Sequence, residues 1–64
     1  MIILDKREYK DLPNAKIVLV KYPKLNGMSE FVTFLEYNND SNFHHGRYFE
    51  SLESAFNNFM QRDN

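Results

Sequence analysis

Near the end of the chain, apolar residues recur at helical spacing. Leu52, Ala55, Phe56, Phe59 and Met60 fall at i, i+3, i+4, i+7 and i+8, one stripe of a 3.6-residue turn. Glu53, Asn57, Asn58, Gln61 and Arg62 fall mostly on the opposite, wet side. Ser51 stands where an N-cap hydroxyl accepts a backbone N–H of the first turn. Glu50 and Glu53 put negative charge at the positive end of the helix dipole, and Arg62 puts positive charge at the other. Pattern, cap and charge predict a helix over about Ser51 to Arg62. The stripe makes Phe56 a core residue, so its truncation to Ala is expected to cost on the order of 3–5 kcal/mol.

Upstream the period changes to that of strands. Lys16 to Tyr22 is rich in β-branched residues and stops at Pro23, and Glu30 to Tyr37 mixes aromatic and β-branched residues. Between them Asn26-Gly27 signals a tight turn. The polar cluster Asn38 to Asn42 predicts a second turn, and Phe43 to Phe49 a shorter third strand that runs into the helix cap. Short connections favour antiparallel neighbours, so the expected architecture is α+β: a three-stranded antiparallel β-β-β-α meander with the helix packed on one face. Met1 to Leu4 reads as a candidate edge strand. Asp5 to Leu12 reads as one or two helical turns, ended by Pro13-Asn14.

Alternation splits each strand between two faces. Phe31, Thr33, Leu35 and Tyr37 oppose Glu30, Val32, Phe34 and Glu36; Ile17, Leu19 and Lys21 oppose Lys16, Val18, Val20 and Tyr22. In the third strand Phe43, His45, Arg47 and Phe49 oppose His44, Gly46 and Tyr48. Neither face is cleanly polar, and one helix roofs only one of them. The second face calls for a cover. Either the N-terminal segment folds Ile2, Ile3, Leu4, Tyr9 and Leu12 over it, or another protein surface does, most simply a second copy of this chain.

Composition sharpens this. Sixty-four residues form one domain, and a chain so short buries only roughly 60% of its unfolded surface. The chain has no cysteine, which removes disulfides and thiolate metal sites and leaves a second subunit or a rich core as the source of stability. Six Phe and four Tyr make the rich core realistic. The N-terminal run lacks the basic start and apolar stretch of an export signal, so the expected location is the cytoplasm. No apolar stretch approaches membrane-spanning length. A net charge of −1 lacks the cationic balance of a nucleic-acid binder.

Candidate chemistry is sparse. His44-His45 is the most suggestive pair, but neighbours on a strand project to opposite faces, and zinc needs three or four ligands, so carboxylates such as Asp40 or Glu50 would have to join. A histidine beside Ser51 or Glu50 is the elementary acid–base or nucleophile arrangement, yet Ser51 already has a role as cap. The alternating run Asp5 to Asp11 reads as a solvated surface with local ion pairs. The segment Gly46-Arg47-Tyr48-Phe49-Glu50-Ser51-Leu52-Glu53-Ser54-Ala55 resembles the last strand and helix start of integrase arm-binding domains. It is equally similar to the strand-to-helix junction of HicB-type antitoxin domains.

The sequence therefore predicts a small non-catalytic protein, without metal or cofactor, that acts by protein–protein contact through an uncovered sheet face, with a homodimer as the simplest form. The residues proposed for a partner surface are Phe31, Leu35, Tyr37, Phe43 and Tyr48; some of them must lie in the core, and those on opposite faces cannot all serve one interface. The alternative is a basic–aromatic surface that binds nucleic acid through Lys16, Lys21, Lys24 and Arg47.

Overall fold

The computed structural model describes residues 1–62. Four strands and one helix follow in order: β1 (Ile2–Glu8), β2 (Ala15–Pro23), β3 (Ser29–Tyr37), β4 (Phe43–Phe49) and α1 (Leu52–Gln61). The strands form one antiparallel sheet in sequence order, β1-β2-β3-β4. The three expected strands and the helix are present, and the candidate edge strand at Met1 to Leu4 is a fourth, which runs on to Glu8. The expected helical turns from Asp5 onward are instead strand up to Glu8, because Asp5, Lys6, Arg7 and Glu8 alternate across the pleat and pair with Leu19, Val18, Ile17 and Lys16. The N-terminal segment widens the sheet. It does not fold over it.

Turn chemistry sets the meander. Lys24 N–H donates to Met28 O at 2.8 Å and Gly27, at φ 83°, supplies the left-handed residue between them. Asn38 and Asn39 both have positive φ, and Asp40 N–H closes that turn on Tyr37 O at 3.2 Å. Two strands carry bulges. In β1 Leu4 is the extra residue between Ile3 and Asp5. In β4 both His45 and Gly46 stand opposite Phe34, with His45 left-handed at φ 55°. The second bulge breaks the simple alternation: His44 joins His45, Arg47 and Phe49 on the helix side, while Phe43 joins Gly46 and Tyr48 on the other.

Helix α1 lies over β2, β3 and β4 and leaves β1 unroofed. Beneath it Ala15, Ile17, Leu19, Leu35, Ala55 and Phe59 form the main core with Tyr9. Ser51 caps the helix as expected, its Oγ accepting from Ser54 N–H at 3.2 Å. The buried face of α1 is rotated from the apolar stripe. Ala55 and Phe59 are buried, but Leu52, Phe56 and Met60 are exposed, so Phe56 is not the core residue the stripe predicts.

Polar residues set that rotation. Asn58 Oδ1 receives the Thr33 hydroxyl at 2.6 Å. Arg62, 4% exposed, donates through Nη1 to Thr33 O at 2.9 Å and through Nη2 to His45 O. Asn58 and Arg62 thus face the sheet, not solvent, and Arg62 clamps the frame where a dipole-balancing surface charge was expected. Burial, and then the like charge of Arg47, pull its guanidinium below its ordinary range, with the phenols of Tyr9 and Tyr37 opposing. The cation at the helix C-terminus comes from β1: Arg7 Nε and Nη2 donate to the carbonyls of Phe59 and Arg62.

The second face is closed by its own side chains. Val18, Val20 and Val32 are fully buried although, among the described residues, no element lies over them. Phe34 stacks on Phe43 with centroids 5.4 Å apart and meets Tyr48 edge-on at 6.4 Å. Lys6 reaches across β2 to Glu36 at 2.9 Å, and Glu36 also accepts Ser41 N–H. The cover expected from the N-terminal segment or from a partner is supplied by these long side chains. Among the described residues no helix is long and apolar enough to cross a membrane.

Candidate functional site

An apolar cleft runs between β1 and α1. Its floor is Leu19, one wall is Leu4 and Asp5, and the other is Leu52, Glu53 and Phe56, around an open depression of about 560 Å³. Two local features build it. The β1 bulge turns Leu4 toward the helix side beside Asp5, so two consecutive residues line one wall. The rotation of α1 toward Thr33 aims the row Leu52 and Phe56 away from the core. As a result Leu4, Leu52 and Phe56 keep 42%, 48% and 45% of their surface in water. Ile2, on the same side of β1, is also exposed. A single exposed apolar residue needs no explanation, but a lined depression of them does.

A second depression, about 550 Å³, lies between β3, β4 and the segment after β1, lined in part by Tyr9, Leu12, Tyr37, His45, Arg47 and Arg62. Its buried cation, Arg62, serves the frame through Thr33 and His45.

The structure divides the five residues proposed for a partner surface. Leu35 is buried in the main core, and Phe31 and Tyr37 pack half-buried against it. Phe43 and Tyr48 lie on the opposite face against Phe34. They make no common surface, and of the five only Tyr48 is largely exposed. The four cations proposed for nucleic acid are scattered too. Lys16 lies on the outer face between Glu8 and Glu36, Lys21 on the helix side, Lys24 in the β2–β3 turn, and Arg47 on the helix side of β4. The acidic cross-strand neighbours of Lys16 cancel its field.

His44 and His45 share the helix side, with ring centroids 6.4 Å apart, and His44 also sits 5.4 Å from the Tyr37 ring. The bulge overturns the expectation that they face apart. Among the described residues no three His, Asp or Glu side chains come together as a metal site. Ser51 is committed to Ser54, whose N–H and Oγ it meets at 3.2 and 3.1 Å.

Sequence reasoning missed Leu4 and the outward turn of Leu52 and Phe56. The available signal was the width of the helical stripe: Leu52-Phe56-Met60 and Ala55-Phe59 are two i+4 rows, more than one packed contact uses. No known family model, curated protein or solved structure matches the chain.

Proposed function

We propose that this protein acts without catalysis, by docking another polypeptide in the cleft between β1 and α1. The observation that carries this reading is the cleft itself: Leu4, Leu52 and Phe56 converge on it while still nearly half exposed. Burying apolar surface stabilises a complex by roughly 25 cal/mol per Å² before association costs, and apolar side chains at the centre of a contact supply most of that. The partner surface is thereby moved from the sheet face, which closes itself, to the open side of the helix.

The test is selection of a random peptide library on the immobilised full chain, followed by rebinding to Leu52→Lys. Leu52 is exposed, so the variant keeps the fold, which its thermal melt verifies. Selected peptides that lose Leu52→Lys support the reading. No enrichment, or peptides that bind both proteins equally, would contradict it.

A further inference from the structure

Two carboxylates stand in the walls of the cleft, Asp5 at the β1 bulge and Glu53 in the first turn of α1. Neither makes an ion pair among the described residues, and Lys21, the cation on the same side of β2, makes none with them. Asp5 Oδ1 accepts Lys6 N–H at 2.8 Å, but the Lys6 ammonium is spent on Glu36 on the other face. Arg7, the next cation of β1 on the cleft side, serves the carbonyls of Phe59 and Arg62. Glu53 makes no ion pair among the described residues. A purely apolar occupant would strip water from both carboxylates without compensation, which is costly.

The β1 edge adds a constraint on how a segment can lie. Tyr9 N–H donates to Ala15 O, so past the Leu4 bulge Asp5 and Arg7 are the residues whose backbone faces β2, and the N–H groups of Lys6 and Glu8 point outward. At Lys6 that outward donor is already taken by Asp5. Strand addition along β1 would have to displace Asp5 at its middle, which favours the cleft as the place for a partner.

Resting on the docking reading above, we infer that the cleft takes a polypeptide segment that combines apolar anchors with a lysine or arginine. The anchors fill the space between Leu4, Leu19, Leu52 and Phe56, and the cation pairs with Asp5 and Glu53. A second copy of this chain is the poorer occupant. A two-fold contact lays one patch on its own equivalent, which sets the two acidic walls against each other.

The experiment is calorimetric titration of the full chain at low salt with two synthetic amphipathic peptides of equal length, one of Leu and Lys, the other of Leu and Glu. The Leu/Lys peptide is expected to bind at least about tenfold more tightly, a gap of one decade in Kd. The double variant Asp5→Asn, Glu53→Gln should narrow that gap toward parity; Asn keeps the oxygen that accepts Lys6 N–H, so the edge is unchanged. Phe56→Ser should weaken both peptides. Equal affinity for the two peptides overturns the charge inference and leaves the docking reading standing. Indifference to Phe56→Ser, with folding intact, overturns both. Dimerisation in light scattering that Phe56→Ser abolishes identifies the occupant as a second copy and overturns the inference as well.

Discussion

Gly46 shows how one residue can fix a surface. A Cβ built there would lie 2.7 Å from Cε1 of Phe34, whose ring is held between Phe43 and Tyr48. The absent side chain lets that ring lie flat on β4 and close the outer face over Val32. Gly46→Ala should therefore cost about 1–3 kcal/mol in urea denaturation by overpacking, and Phe34→Leu in the same background should return part of the loss. Additive losses would mean that the two sites do not touch. Arg62 is the second decisive residue. Arg62→Met leaves Thr33 O and His45 O without their donor and should cost about 2–4 kcal/mol. Arg62→Lys should recover less than half, because an ammonium cannot span both acceptors as the planar fork does. Full rescue by Lys, read in the same denaturation experiment, would contradict the clamp.

At the scale of elements, α1 is a helix whose sequence stripe and buried face do not coincide. Phe59→Ala should cost about 3–5 kcal/mol and unfold much of so small a domain, while Phe56→Ala should cost about 1 kcal/mol or less. Thermal melting that ranked the two the other way would restore the stripe as the core. Much at this scale was legible: the Ser51 cap, the Asn26-Gly27 turn and the bounds of β4 follow from local chemistry that the fold keeps. What escaped has physical causes. A bulge adds one residue without changing composition, so the sides of His44 and Phe43 could not be assigned by alternation. Asn58 and Arg62 read as wet because polar residues usually are, until Thr33 appears across the sheet at the helix end. The charges of β1 looked like a solvated turn, whereas Lys6 caps the outer face and Arg7 caps the helix.

On the whole-molecule scale, one short helix roofs three of four strands. The sheet answers its uncovered face with its own long side chains and leaves its uncovered strand beside an apolar cleft. The choice of docking surface follows from that asymmetry. Sequence alternation identified a surplus of apolar side chains but not which would stay wet, since this depends on the rotation of α1 and the Leu4 bulge. Relaxation of proton signals by a neutral, soluble gadolinium chelate measures this most directly on the free protein. The account predicts strong broadening of the Leu4 and Leu52 methyls and the Phe56 ring, with Ala55 and Leu35 protected. Leu4, Leu52 and Phe56 as well protected as Ala55 would mean that the cleft is closed, and would contradict it.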